Sequence, residues 1–294
     1  MIIANLMGGL GNQMFQYSAA LSLSYETQSP LLITNDMSSY FNQHNNGPLD
    51  QIFPISSKRA TKSDLYKVLG LKSSPILRYL LFSEKSFFHN WNFKSVVNES
   101  NFHLANKFLS DGDDLYLHGY FQSENFFIKS CEFVRSEFIF EDRLTQNCES
   151  LFNEIRRHPS ASIHIRRGDY LNRRNSKLFH ACDLDYYLRA MQYVASRTEK
   201  IKFYIFSDDP KWAHENFYHK GYDFCIINTI SYAAAQTDMF LMSLCDHNII
   251  ANSTFSWWAA WLNSNNDKIV ISPDKWFKNG RNASDLIPNS WIKI

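Results

Sequence analysis

The stretch ASIHIRRGDY, residues 161–170, joins a short apolar run to a polar turn. Further apolar runs follow it, and segments with helical periodicity separate them. The apolar runs are 201–206 (IKFYIF), 223–227, 247–251 and 268–272, and the helical segments are 183–197, 209–219, 232–245 and 254–263. Short apolar strands that alternate with helices are typical of a parallel sheet covered on both faces. The second half of the chain is therefore predicted to be a Rossmann-like α/β domain.

The first half of the chain is less regular, but it also begins with a predicted strand that a helical segment follows. Residues 1–7 are predicted to form a buried strand, and a glycine turn and an amphipathic run follow up to about Tyr25. The stretch 35–114 is irregular, with one helical pattern around 62–82. We expect a looser Rossmann-like domain over 1–158 and a second domain over 159–294, with the last residues packing back on the first.

Composition excludes several classes of protein. The 294 residues are 45% hydrophobic and carry a formal net charge of +1. Such a chain is globular, and its weak charge gives no support for nucleic-acid binding or for more than peripheral membrane contact. The start, MIIANLMGG, lacks the features of a signal peptide, and no apolar stretch is long enough to span a bilayer. We therefore expect a cytoplasmic protein.

The polar turn after 161–166 predicts an anion site, because ligands of open parallel sheets bind beyond the carboxyl ends of the strands. Alternation along the strand places His164 and Arg166 on one face, and Arg167 falls at the turn. Two arginines that leave a buried strand are costly unless an anion meets them, and a guanidinium fork matches a diphosphate. The alternative is an internal salt bridge with Asp169 or another acid. One acid does not satisfy two arginines, which favours the anion.

A second polar cluster, Ser207–Pro210, follows the strand that ends at Phe206. Asp208 or Asp209 is expected to cap the next helix, with Pro210 in its first turn. The other carboxylate is then available to accept hydrogen bonds from a ribose or a base, and the pattern leaves both readings open.

A third cluster begins at Asn252 and opens the helical segment that follows the strand HNIIA. Asn252 or Ser253 is expected to cap that helix. The first backbone amides of the helix would then face the ligand edge and offer a phosphate site. Trp257 and Trp261 share a helix face and are expected in the core.

Other motifs are weaker. The run Gly8–Tyr17 (GGLGNQMFQY) lets backbone amides approach a ligand closely, but it is neither a P-loop nor a good dinucleotide fingerprint. Asp36 keeps a nucleotide-dependent oxidoreductase open as an alternative. The strings Asp111-Gly112-Asp113 and Asp183-Leu184-Asp185 are expected to serve turns and caps rather than a metal ion.

Five blocks together resemble the family 11 α-1,2-fucosyltransferases, and without a membrane anchor they resemble the bacterial members. The blocks are GGLGNQMFQY (8–17), GYFQSENFF (119–127), HIRRGDY (164–170), SDDPKW (207–212) and ANSTFSWWAAWL (251–262). The resemblance implies a GT-B fold, with two Rossmann-like domains whose parallel sheets face a cleft. It also implies GDP-fucose as donor and inversion at the anomeric carbon. We expect no cofactor or metal, because the arginine pair can neutralise a diphosphate. The acceptor would be a galactose-terminated oligosaccharide or lipid-linked glycan.

The resemblance also implies roles for individual residues. Arg166 would hold the β-phosphate, Arg167 would support it, and His164 would lie on the same side. Asp208 would bind guanosine, and the candidate bases are Glu124 and Asp169. The remaining substrate-binding residues would be Asn12 and Gln13 in the first domain and Asn252, Ser253, Thr254 and Phe255 in the second.

Three alternatives stay open beside this reading. The first is another fucosyltransferase linkage, the second is the oxidoreductase, which leaves the arginine pair unexplained, and the third is a non-catalytic glycan-binding protein. The last accounts for the 16% aromatic residues but not for three phosphate-suited strand ends.

Overall fold

The computed structural model describes two compact units, Met1–Ile139 and Phe140–Ile294. The described residues are 1–35, 47–82, 95–110, 112–141, 144, 146, 148–171, 179–218, 221–227, 234–278 and 283–294, with the side chains of Phe82, Asp169 and Ala234 excepted. No helix within these ranges is long and apolar enough to cross a membrane.

The described part of the first unit contains a five-stranded parallel sheet in the order β3-β2-β1-β5-β4. Its strands are β1 Ile2–Asn5, β2 Leu31–Thr34, β3 Lys58–Arg59, β4 Val96–Val97 and β5 Leu115–Leu117. Its helices are α1 Leu10–Thr27, α2 Lys62–Leu69, α3 Pro75–Phe82, α4 Ala105–Ser110 and α5 Cys131–Glu137.

Helices cover both faces of this sheet. Leu65, Val68 and Leu69 of α2 form a core cluster with Ile3 of β1 and Tyr116 of β5. On the other side α1 packs with α4 and α5. The helical pattern over 62–82 is two helices rather than one, because Gly70 has φ +59° and Pro75 begins α3.

The described part of the second unit contains a six-stranded parallel sheet in the order β11-β10-β9-β6-β7-β8. Its strands are β6 Ser160–Ile165, β7 Lys202–Ser207, β8 Phe224–Ile227, β9 His247–Ile249, β10 Val270–Ser272 and β11 Ile292–Lys293. Its helices are α6 Glu149–Ile155, α7 Leu184–Ala195, α8 Pro210–Phe217, α9 Ala234–Leu244 and α10 Thr254–Leu262.

The chain order of the second sheet fixes where a ligand binds. From β6 the chain builds outward through β7 and β8, and it then returns to the other side of β6 for β9, β10 and β11. This is the doubly wound Rossmann order, in which the crevice opens at the carboxyl ends of the two strands where the direction of winding reverses. Those strands are β6 and β9. In the first sheet the corresponding strands are β1 and β5.

Two features of the second unit differ from the sequence-based expectation. The expected boundary at 158/159 lies inside this unit, because α6 packs on α9 and β6 begins at Ser160. The last residues, for which the sequence predicted packing on the first domain, extend the second sheet. There β11 pairs with β10, and Ile292 and Ile294 add apolar surface to the core beneath it.

Candidate active site

The two arginines after β6 each have an acidic partner. Arg166 Nη1 lies 3.2 Å from Asp208 Oδ2, and Arg167 Nε lies 3.4 Å from Asp209 Oδ2. Asp208 Oδ1 also accepts a hydrogen bond of 2.8 Å from the Arg167 backbone N–H. The internal salt bridges that the sequence left as the alternative are therefore present, because the turn after β7 supplies one acid for each arginine. The Arg166 side chain nevertheless remains 28% exposed at the ligand edge.

Arg167 also contacts an aromatic ring. Its guanidinium carbon lies 4.2 Å from the centre of the Trp212 ring, a distance at which a cation is attracted to the indole face. Asp209 joins the two residues, because its Oδ1 accepts the Trp212 backbone N–H at 3.1 Å. This bond makes Asp209 the cap of α8, which confirms that one of the two aspartates caps the helix. Arg167 thus packs on α8, and Trp212 is a contact that sequence reasoning missed.

His164 lies on the face of β6 opposite Ile163 and Ile165, which are in the core cluster beneath α7. Its ring is 5.6 Å from that of Phe255, at the start of α10. Burial, with a smaller contribution from the Arg166 charge, lowers the pKa of His164 to about 3. The imidazole is therefore neutral at physiological pH. Its buried Nδ1 has no hydrogen-bond partner among the described residues.

The N-terminus of α10 faces the same edge. Ser253 occupies the N-cap position, but its side chain makes no capping hydrogen bond within the described residues. Thr254 and Phe255 form the first turn and are half-buried. The positive end of the helix dipole therefore lies beside the crevice between β6 and β9, where it favours an anion.

Asn252 has a different position from the one expected. It is buried, and its side-chain nitrogen donates to the backbone carbonyls of His180 and Trp276, each at 3.0 Å. Its own backbone carbonyl accepts from the Tyr170 hydroxyl at 2.8 Å. The side chain therefore holds three loops together, and the expectation that it also binds substrate stays a prediction.

In the first unit, residues of helix α1 fix the conformation of the glycine run that follows β1. Gly8 has φ +79°, and a β-carbon there would lie 2.8 Å from Asn12 Nδ2. The Gln13 side chain donates to the carbonyls of Gly8 and Gly47 and accepts from the Leu49 amide at 2.9 Å. Gln13 is buried and holds the loop in place, and its expected contact with substrate stays a prediction.

Asn12 is better placed to meet a ligand. It is half-buried, and its side-chain oxygen accepts a hydrogen bond of 2.8 Å from Gln122. Gln122 belongs to the segment after β5, so two of the five sequence blocks meet at the crevice of the first sheet. Nearby, His118 Nδ1 lies 3.0 Å from Asn5 Nδ2. Sequence reasoning missed His118, although its position directly after an apolar strand is a signal for a ligand-edge residue.

Glu124 begins a short 3₁₀ turn at Glu124–Phe126 in the same segment and is half-buried. The segment is anchored by Glu99, whose Oε1 accepts the backbone amides of Tyr120 and Phe121 at 2.5 and 3.0 Å. Phe121 is held at φ +49°, a strained value for a side-chain-bearing residue. The side chain of Asp169, the other candidate base, lies outside the described residues.

The acidic D-x-D strings have structural contacts where they are described. Asp183 caps α7 by accepting the Tyr186 amide at 2.9 Å, and Asp185 pairs with Arg189 on the surface of that helix. This confirms the expected cap. Asp111 and Asp36 lie outside the described residues. In the part of the chain that the structure describes, no three His, Cys, Asp or Glu side chains group as metal ligands.

The sequence as a whole matches the model of "Glycosyl transferase family 11" over residues 1–294. The chain belongs to glycosyltransferase family 11. The O-antigen biosynthesis glycosyltransferase WbnK of Escherichia coli is 35% identical over 98% of this chain and 99% of its own. The alpha-1,2-colitosyltransferase of Escherichia coli is 31% identical over 100% of this chain and 98% of its own. The galactoside alpha-(1,2)-fucosyltransferase 1 of Leontocebus fuscicollis is 26% identical over 87% of this chain and 63% of its own.

Solved structures show the fold of this family 11 glycosyltransferase. The fucosyltransferase NodZ from Bradyrhizobium aligns with a TM-score of 0.57 at 14% identity, over 88% of this chain and 90% of its own. A mutant of Arabidopsis thaliana FUT1 in complex with GDP aligns with a TM-score of 0.56 at 12% identity, over 92% of this chain and 69% of its own. The two parallel α/β units of the chain are those of a GT-B enzyme.

The buried, neutral state of His164 predicts a pH dependence of stability. Because the folded-state pKa is lowered from 6.5, protons favour the unfolded chain. The contribution of the neutral His164 side chain to the unfolding free energy is complete above pH 6.5 and is lost as the pH falls toward 3. Between pH 6.5 and 5, the unfolding free energy of the wild type should fall more steeply than that of His164→Gln, by up to about 1.4 kcal/mol per pH unit.

Urea unfolding at a series of pH values measures this difference. Both proteins keep His180 and His247, whose pKa values are also lowered by burial, so the comparison isolates His164. Equal slopes in the two proteins would show that His164 is not buried in its neutral form.

Proposed function

We propose that this enzyme transfers L-fucose from GDP-fucose to the 2-hydroxyl of a galactose-containing glycan, with inversion at the anomeric carbon. The observation that carries the proposal is the convergence of Arg166, His164 and the N-terminus of α10 at the reversal point between β6 and β9. The names of the relatives support the same linkage, because the primate relative is a galactoside alpha-(1,2)-fucosyltransferase. WbnK, named for O-antigen biosynthesis, supports a bacterial surface glycan as acceptor.

The proposed diphosphate site combines a fixed cation with a helix dipole. Arg166 offers a guanidinium fork, and the first amides of α10, at Thr254 and Phe255, offer backbone donors. As fucose leaves the diphosphate, negative charge grows on the β-phosphate, and donors that are already in place stabilise it. A neutral His164 adds a hydrogen-bond donor without adding charge.

Asp208 has two successive roles in this proposal. In the free enzyme it balances Arg166 across 3.2 Å. A diphosphate carries more charge than one carboxylate and takes over the Arg166 fork when it binds. The Asp208 carboxylate then accepts hydrogen bonds from the guanosine part of the donor, while its contact with the Arg167 amide keeps it at the edge.

The first unit is proposed to bind the acceptor, with Asn12 and Gln122 at the carboxyl ends of β1 and β5. Glu124 lies in the same segment as Gln122 and is the candidate base of the first unit. Asp169 is the candidate base of the second unit.

Colitose is a second candidate for the sugar of the donor. The 31% identical relative is named an alpha-1,2-colitosyltransferase, and colitose on the same nucleotide would present the same diphosphate.

Arg166→Ala should lower turnover by roughly 10²–10³, the usual effect of removing one donor that stabilises developing charge. Arg166→Lys should recover little, because an ammonium group lacks the planar fork. Steady-state transfer to a β-galactoside measures both variants. Arg189→Ala, which removes an exposed arginine on α7, is the matched control and should behave as the wild type. Near-normal turnover in a folded Arg166→Ala protein would remove Arg166 from the phosphate site.

GDP should stabilise the protein against heat, whereas UDP and NAD should not. A ligand that binds only the folded state adds about 2.7 kcal/mol at a hundredfold excess over Kd. For a protein of this size that raises Tm by roughly 2–4 °C per kcal/mol. Differential scanning fluorimetry measures the shift, which should persist in Arg189→Ala and largely vanish in Arg166→Ala.

The other outcomes of this experiment separate the function classes. A response to NAD alone would indicate an oxidoreductase. A response to galactosides without any to nucleotides would indicate a glycan-binding protein. A UDP shift as large as the GDP shift would leave a glycosyltransferase but remove GDP-fucose as its donor.

We also propose that transfer needs no metal ion, since Arg166 and the α10 N-terminus supply the charge that the diphosphate requires. Activity should therefore survive exhaustive dialysis against EDTA. The assay is the same transfer reaction with and without added Mn²⁺ or Mg²⁺. Loss of activity on chelation, with recovery on adding either ion, would overturn metal independence and make Asp113 a ligand to test.

A further inference from the structure

Two short helices of the first unit expose many large apolar side chains. Helices α2 and α3 and the turn between them span residues 62–82. Leu71 is 80% exposed, Ile76 62% and Leu80 56%. We call the exposed residues of this hairpin the α2–α3 patch, which consists of Tyr66, Leu71, Ile76, Leu77, Tyr79 and Leu80.

The patch is exposed because the helices are already anchored by their other faces. Leu65, Val68 and Leu69 of α2 are buried against the first sheet. In α3, Arg78 is fully buried and donates a hydrogen bond of 3.1 Å to the Tyr116 hydroxyl. One face of each helix thus packs on the sheet, and apolar side chains also occupy the outward face, where polar residues are usual.

Basic residues are interspersed with these apolar residues along the chain. Residues 58–82 contain six Lys or Arg residues and one acid, Asp64. Asp50 pairs with Arg59 and Asp114 with Lys67, and Arg78 is buried, so five basic residues and three acids carry the charge at this surface. Lys58 and Lys62 are exposed. The formal net charge of the whole chain, which is only +1, does not reveal this local excess of basic residues.

We propose that the α2–α3 patch binds the surface of a bilayer that contains anionic lipids. Apolar side chains on a surface helix enter the boundary between headgroups and acyl chains, and neighbouring lysines pair with anionic headgroups. Tyr66 and Tyr79 are suited to this boundary between headgroups and acyl chains, because tyrosine has an apolar ring and a polar hydroxyl. With eight residues each, α2 and α3 lie on the membrane and do not cross it.

The inference goes beyond the proposed transfer reaction and does not depend on the identity of the donor. Its consequence for function concerns the acceptor. A glycan carried on a lipid is confined to the membrane surface, so an enzyme held at that surface meets it at a higher local concentration. The weak net charge argues against a general anchor, whereas a local patch gives peripheral contact, the most that the sequence allows.

Vesicle co-sedimentation of the full chain tests the apolar part of the patch. The wild type should bind vesicles of phosphatidylglycerol and phosphatidylcholine more tightly than vesicles of phosphatidylcholine alone. The double variant Ile76→Ser/Leu80→Ser should lower the partition coefficient by roughly tenfold or more, because binding scales with buried apolar area. The matched control is Ile128→Ser/Ile139→Ser, which removes two isoleucines of the same unit with 53% and 57% exposure.

A second pair of variants tests the charge. Lys58→Glu/Lys62→Glu should weaken binding to the anionic vesicles, and binding of the wild type should fall as salt is added. Lys107→Glu/Lys129→Glu makes the same change in net charge elsewhere on the unit and should bind as the wild type. Unchanged melting temperatures show that each variant is folded.

Three results would overturn the proposal. They are a wild type that does not bind anionic vesicles, patch variants that bind as well as their controls, and a patch whose loss alters only self-association in light scattering. The last result would assign the patch to a second copy of the chain. Vesicle binding is read without nucleotide or acceptor, so its failure is separate from a failure of the proposed transfer reaction.

Discussion

Strand β6 is the element on which the candidate site depends. It is hydrogen-bonded on both sides, with Ile163 opposite Ile205 of β7 and Ile249 of β9. Its side chains are buried along its whole length. A strand held in this way cannot move its end toward or away from solvent. The charge of Arg166, one residue beyond β6, must therefore be balanced where it lies, and the surrounding loops are arranged around it.

The turn after β7 provides the acids that balance this charge, and these acids can give up their arginine partners. Asp208 and Asp209 meet Arg166 and Arg167 at the ends of two adjacent strands, and all four side chains keep some exposure to solvent. Exposed ion pairs contribute only about 0–1 kcal/mol, so exchanging a carboxylate for a phosphate costs little. The two arginines are not equivalent, however. Trp212 and Asp209 both contact the Arg167 side chain, whereas Arg166 contacts Asp208.

Much of this arrangement could be predicted from the sequence. The alternation of apolar runs and helical segments is strong in the second half, and the parallel sheet is confirmed. The expected cap by one of the two aspartates, which is Asp209, and the buried Trp257 are also confirmed. The short edge strands β3, β4 and β11 were missed, because two residues carry no periodicity. The domain boundary depends on the packing of α6 on α9, a contact that no local pattern reveals. Trp212 was missed because its partner lies 45 positions away, at Arg167.

Two of the predicted site residues, Gln13 and Asn252, make loop contacts that share one physical cause. Gln13 and Asn252 follow strands at the ligand edge, where sequence reasoning assigns polar side chains to a ligand. A sharp turn at such an edge, however, leaves backbone groups that the sheet does not pair, and buried groups of this kind cost free energy unless they are bonded. A carboxamide offers both donors and an acceptor, so it can satisfy carbonyls and amides of several loops at once. Gln13 does this for Gly8 and Leu49, as Asn252 does for His180 and Trp276. Replacing either residue would therefore disturb the loops that carry the binding groups, and lost activity alone would not distinguish that effect from a direct contact.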